Sequence, residues 1–520
     1  MFALAFLIGI YSYIIFSLGI LGALTRGPVL VSSLIFIAGA YLYFKKHKED
    51  LPKLNLKNKK IRPFLALFGV LTLVNLVGAL APELSFDALW YHLTIPKIFI
   101  EEGRLFYING GLFYYSVMPK LGEMLFIPGL LTGSEIIPKL IQWGFGILTS
   151  ICVYKISRKY FDEKISMLSV LVFYGSLVVA WQSTVAYVDL IRSFFEVMAL
   201  WGFLEFLKTR KTSMLIESSV LVGLAVCVKL IALGSIPIFG LLIFYLEKDR
   251  KLALKNSLLF GSVALLVALP WFFYAFITTG NPIYPIFSGY PLEGSFLNPI
   301  NDLINLFLRS ADPISPIYLI FLPLIVIYFK KMRKELKIVT VYSLIALIIW
   351  LITPKTGGGR FILPYLPAFS ILAGAVIHYT NDKNLKKYLI GIVLFVFVVT
   401  IGYRAVANVR YLPVVLGQES KSEFLTKNLN FNFGDFYDTN GWFAENIKPT
   451  DKVLLFGFHN LYYVDFPFIH ESYVKKGDKF NYIATQNAEL PGRFSYWKLV
   501  HRNNLTNVSV YTNNKELWYY

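Results

Sequence analysis

The sequence predicts an all-α polytopic membrane protein of about thirteen transmembrane helices, followed by a small C-terminal α/β or α+β domain. Three observations predict it. Of the 520 residues, 56% are apolar and only 16% are charged, against about 25% charged in an ordinary soluble domain. The charges gather in short basic clusters between apolar runs of roughly 20 residues, the length that crosses a bilayer. From Arg404 onward the pattern changes, and Asn, Asp and Lys occur freely among short β-like runs.

In chain order, candidate spans lie near 3–23, 28–44, 63–82, 138–156, 165–182, 189–207, 214–231, 232–246, 256–276, 315–329, 337–353, 361–378 and 387–403. The first lacks a basic segment ahead of it, which predicts a retained span and not a cleaved signal. Residues 121–131 are apolar but short, with Pro119 before them and Pro128 near their end. They read as a re-entrant or interfacial piece, or as a short extra span. Basic clusters at 45–62, 155–159, 208–211, 248–251, 330–334 and 383–387 all fall on one side of this arrangement, which the positive-inside rule makes cytoplasmic. The N-terminus is then cytoplasmic. The first outer loop (83–137), the Tyr187–Asp189 region, the 277–314 loop, Lys355–Arg360 and everything after Tyr403 are extracytoplasmic. Two domains follow: a membrane domain, 1–403, and an outer domain, 404–520. In the latter, β-like runs appear at 453–456, 462–468, 482–484, 496–500 and 508–511, with a helix at 442–447 feeding the first.

Several function classes drop out. Net charge is +18, but its distribution is that of membrane topology and not of a basic face for nucleic acid. Cys152 and Cys227 both lie in apolar stretches, which speaks against a disulfide framework. No HExxH, Walker A or strand-associated GxGxxG occurs, so zinc proteolysis, NTP hydrolysis and dinucleotide chemistry lack support.

Chemistry is expected where polar groups stand at the outer face for no topological reason. PELSFDALWYHL, residues 82–93, sets Glu83, Asp87 and His92 among aromatic residues just past a span. If it is helical, Asp87 and Tyr91 share a face. A partly desolvated Asp87 would have a raised pKa and act as a better base; the alternative is a solvated loop acid in an aromatic belt. Asp189 opens a span, as a site residue or as an N-terminal acid favoured by the helix dipole. Glu196, deeper in that span, needs a partner. Arg360, after three glycines in TPKTGGGRFILPYLPAF, suits a phosphate oxyanion, with backbone N–H groups at a helix start and Lys355 close by; otherwise it snorkels. Lys229 either snorkels or reaches an anion in a cavity. Glu123 pairs with Lys120 or lines a site. Tyr284, in the rigid turn TTGNPIYPIF, either lines a site or is structural.

The runs FDALWYHLTIPKIFIEEGRLFY and YYSVMPKLGEMLFIPGLL, followed by AYVDL, TGNPIYPIF and RFILPYLPAF, resemble membrane glycosyltransferases of the GT-C fold. The likeness is to the branch related to protein O-mannosyltransferases and aminoarabinose transferases, and it spans roughly residues 60–380. It implies a sugar donor carried on polyprenyl phosphate and a lipid, glycan or protein acceptor at the outer face. It further implies transfer with inversion, Asp87 as general base, and Arg360 with Lys355 on the lipid phosphate. Asp189, Glu123, His92, Tyr91, Lys229 and Tyr284 are the further substrate-binding candidates. No soluble cofactor is implied. The absence of an acidic pair at Asp87 leaves a divalent metal open, and no WWDYG-like motif is present. The main alternative is a transporter or flippase of a lipid-linked sugar, which would show paired halves and midplane charges; here the polar groups sit at span ends and no internal repeat is visible.

Overall fold

The structure, a computed structural model, describes residues 1–48, 58–288, 299–308, 312–353 and 358–519. Lys355, and Lys53 and Lys57 of the first basic cluster, lie outside the described residues.

Each of the thirteen apolar stretches is met by helix. Before the first loop come α1 (Phe2–Ile20), α2 (Arg26–Lys46) and α3 (Arg62–Ala79). The loop holds two shorter helices, α4 (Thr94–Glu101) and α5 (Leu121–Leu130). Then follow α6 (Ile136–Ser157), α7 (Glu163–Tyr174), α8 (Leu177–Gln182), α9 (Asp189–Thr209), α10 (Thr212–Val228), α11 (Ser235–Leu246) and α12 (Arg250–Thr279). Beyond them lie α13 (Pro299–Phe307), α14 (Ile317–Tyr328), α15 (Lys334–Ile352), α16 (Leu366–Tyr379) and α17 (Lys383–Asn408). Among the described residues seven helices are long and apolar enough to cross a bilayer, and four shorter apolar helices accompany them. The protein is a multi-pass membrane protein.

Local chemistry explains the interruptions. The 165–182 stretch divides into α7 and α8 at Gly175, where an added Cβ would meet the Phe397 ring at 2.5 Å. The ten residues of α5 reach only about 15 Å at 1.5 Å per residue, half of a hydrocarbon core. They are nearly all buried, so α5 is a short internal helix packed on α1 and α6. α9 is buried on almost every face between α6 and α10. Glu196 finds its partners there: Arg192 (Nη2–Oε1, 3.1 Å), and the Ser235 hydroxyl, which donates to Oε1 at 2.6 Å. Basic loops meet at one end of the bundle. Arg210 pairs with Glu247 at 2.8 Å, Lys159 with Glu205, and the Arg333 N–H donates to the Tyr379 hydroxyl at 3.1 Å.

At the other end sits the C-terminal domain. Its sheet has the order β2–β1–β3–β5–β4, from β1 (Val453–Phe456), β2 (Phe468–His470), β3 (Lys479–Gln486), β4 (Lys498–Asn503) and β5 (Val508–Trp518). β1 runs parallel to β2 and β3, and the remaining pairs are antiparallel. The expected helix precedes β1, at Trp442–Asn446. One expected strand is absent: 462–468 is irregular until Phe468. Tyr462 and Tyr463 turn toward the first loop, while Phe466 packs inside the domain on Phe436 and Phe443. Lys97, in α4, donates to the carbonyls of Tyr462 (2.9 Å) and Val464 (2.8 Å) and pairs with Asp465 (2.6 Å). The Tyr463 hydroxyl donates to the Glu83 carbonyl at 2.9 Å. Both cysteines are free and buried.

Candidate active site

The segment after α3 is held by a carboxylate. Glu83 is buried, and it accepts from the backbone N–H groups of Leu84 (2.9 Å), Ser85 (2.8 Å) and, across the chain, Ala186 (2.6 Å). This binds residues 83–85 to the 184–188 connection. The chain then turns helical at Phe86, and Ala88–His92 form one wide π turn, a distortion that recurs at functional sites.

That turn carries Asp87. The Tyr91 hydroxyl, one turn on, donates to Asp87 Oδ2 at 3.0 Å, and the Asp87 N–H donates to the Tyr187 hydroxyl at 3.2 Å. Arg360, 273 positions away in the chain, sets Nη1 2.8 Å from the same Oδ2 and lays its guanidinium 4.4 Å from the Tyr187 ring centroid. Arg360 Nε is 3.5 Å from Asp189 Oδ2, and Lys229 donates to Asp189 Oδ1 at 2.8 Å. The result is an alternating chain of charge, Asp87–Arg360–Asp189–Lys229. Burial is the largest single influence and pushes the Asp87 carboxyl up, but the Arg360 guanidinium, together with the other basic groups around it, holds the carboxyl below the usual carboxylate range. The sequence-based expectation of a raised value is thereby reversed: it counted desolvation and missed the cation.

Asp312 fixes Arg360. Its Oδ2 accepts the Arg360 N–H at 2.9 Å. Gly359 allows this approach, because an added Cβ would lie 2.3 Å from the Asp312 carbonyl oxygen. Arg360 therefore stands in a turn ahead of α16, with its own N–H already used, and not at a free helix start.

These groups border a cavity of about 890 Å³. Asp87, Tyr91, Lys229 and Arg360 line it, and so do Asp312, Tyr187, Arg404 and Arg410, which sequence reasoning did not single out. Arg404 and Arg410 carried a legible signal: like Arg360, they are basic on the side opposite the six clusters. Asp312 had none, and Tyr187 was marked only as part of the AYVDL stretch. Among the described residues four cations face two carboxylates across this cavity, so it favours an anion.

The other candidates stand back from it. Asp189 is buried behind Arg360. His92 Nδ1 contacts Glu123 Oε1 at 2.8 Å, with Lys120 3.9 Å from that oxygen, all three buried. Burial pushes the His92 imidazole down against the pull of Glu123. His92 reaches the site only through its ring, which packs on Tyr91 at 4.2 Å. Tyr284 is buried, its hydroxyl 3.3 Å from that of Tyr107, and its neighbours Pro285 and Ile286 line the cavity. Among the described residues no three His, Cys, Asp or Glu side chains gather as a metal site.

ArnT from Cupriavidus metallidurans, in its apo state, superposes with a TM-score of 0.60 at 14% identity, over 87% of this chain and 97% of that one. The fold is that of the GT-C membrane glycosyltransferases. The same protein bound to undecaprenyl phosphate gives a TM-score of 0.54 at 14% identity, over 87% and 98%. The family described as dolichyl-phosphate-mannose-protein mannosyltransferase matches residues 133–274. No curated protein matches the sequence. In this chain, the first loop and the turn before α16 meet at the end of the bundle that carries the C-terminal domain.

Proposed function

We propose that this chain transfers a sugar from a polyprenyl-phosphate donor to a hydroxyl-bearing acceptor at the outer face of the membrane. The observation that carries this reading is the 2.8 Å contact between Asp87 and Arg360 on the wall of a cationic cavity at one end of an apolar bundle. ArnT solved with undecaprenyl phosphate supports a lipid phosphate as the donor's carrier. The basic loops at the opposite end support an outer-face site and a cytoplasmic N-terminus.

In this reading the donor phosphate takes the guanidinium of Arg360, with Lys229 near by and Lys355 assigned to the same task. Asp87 is then released from its cation and, beside an anion, becomes more basic. The acceptor O–H gives its proton to Asp87 as its oxygen bonds to the anomeric carbon. The carbon–oxygen bond to phosphate breaks, and its electron pair leaves with the phosphate, where Arg360 stabilises the growing charge. A single in-line displacement inverts the anomeric configuration. Tyr91 holds the Asp87 oxygen that contacts the cation, and Asp189 holds Arg360 and Lys229 in place. Glu123 and His92 brace the turn from behind.

The test uses purified protein and a synthetic polyprenyl-phosphate sugar. Asp87→Asn is expected to cut turnover by at least ~100-fold, the range of one general base, with donor binding retained. Wild-type protein that moves intact donor across vesicles without cleaving it would assign a flippase.

A further inference from the structure

A second cavity, of about 1100 Å³, lies between the first loop and the C-terminal domain. The active-site cavity is cationic; this one is acidic. Among the described residues five carboxylates line it (Glu101, Glu102, Asp438, Asp478 and Asp465, the last paired with Lys97) against two lysines, Lys452 and Lys475. Tyr107, Tyr437, Phe466 and Tyr473 bring partly exposed rings to its wall. The two cavities also share structure. Tyr107 lines the cleft while its hydroxyl meets Tyr284, next to Pro285 of the active-site cavity. Tyr463 lines the cleft while its hydroxyl holds the Glu83 carbonyl, four residues before Asp87.

We infer that this cleft binds the acceptor, and that the acceptor is a neutral glycan; this rests on the transferase reading above. Charge sorts the two substrates. A lipid phosphate is drawn to Arg360 and Lys229 and repelled by the cleft. Sugar hydroxyls donate to carboxylates in charge-assisted hydrogen bonds. The C–H face of a pyranose presents partial positive charge to the negative face of an aromatic ring. Carboxylates interleaved with half-exposed rings fit that ligand, and they reject a phosphorylated or otherwise anionic glycan. The sugars sit between loop and domain, beside the segments that carry Glu83 and Tyr284.

The experiment measures binding, not turnover. Full-length protein in nanodiscs is titrated with neutral trisaccharides of glucose, mannose and galactose, and with octalysine, by saturation-transfer NMR and intrinsic fluorescence. At least one trisaccharide is expected to bind, and at least fivefold more weakly to Glu101→Ala/Glu102→Ala and to Tyr437→Ala. Glu101 and Glu102 are exposed, so the paired variant leaves the fold intact if Tyr437→Ala does not. No saccharide binding, or binding indifferent to the cleft variants, overturns the inference. Preferential octalysine binding overturns it in favour of a cationic partner. Donor cleavage is scored separately, so a failed cleft leaves the transferase reading standing, and an uncleaved donor leaves the binding result readable.

Discussion

Arg360 pairs directly with Asp87 and pulls its carboxyl down against burial. A carboxylate buried alone would climb in pKa, but one 2.8 Å from a guanidinium is held down, so in the free enzyme Asp87 is ionised well into acid. The acid limb of kcat/KM, which reports the free enzyme, should therefore show no Asp87 titration until below about pH 4, its ordinary value. Arg360→Ala removes the cation, lets desolvation prevail and should move that limb upward, while donor KM rises by at least ~10-fold for a lost charge-assisted contact of roughly 1.5–3 kcal/mol. A pH profile unmoved by the substitution would show that Arg360 does not set the base. The sign for stability agrees: a depressed carboxylate contributes above its unfolded value and loses that contribution as pH falls through the folded one.

Among the elements, α5 and the 184–188 connection set the position of the catalytic turn. Gly122 lets them touch, because a Cβ there would lie 2.6 Å from Val188 Cγ1. Gly122→Ala should cost about 1–3 kcal/mol through overpacking and displace Tyr187, whose hydroxyl accepts the Asp87 N–H. A thermal midpoint and turnover equal to wild type would show that this contact does not position the turn. The wide turn at Ala88–His92 belongs here too. The sequence marked Asp87 and Tyr91 as sharing a helical face, and the 3.0 Å bond between them follows that spacing. The widening itself had no signature, since it depends on what packs around His92.

For the whole molecule, the C-terminal domain is a wall of the site region as well as a neighbour. His459 stacks on Phe86 at 4.8 Å, and Lys97 holds two carbonyls and one carboxylate of the 462–465 segment. Lys97→Met leaves those carbonyls without their donor. Amide exchange at 461–466 should quicken by at least ~10-fold, the factor for about 1.4 kcal/mol, and exchange unchanged there would show that the domain docks without help from Lys97.

Apolar run length, basic loop charge and turn residues are local, and each is written in a few consecutive residues. They determined by themselves the helical membrane class, the helix positions, the mixed C-terminal domain, and the polar residues worth watching. The tertiary structure alone decided which of these meet. Asp87, Asp189, Lys229, Asp312 and Arg360 come from five separate segments, and no periodicity encodes a contact between them. Charge is where this matters most. The protonation of a carboxylate depends on its burial and on its nearest cation together, and the second of these is a property of the folded chain.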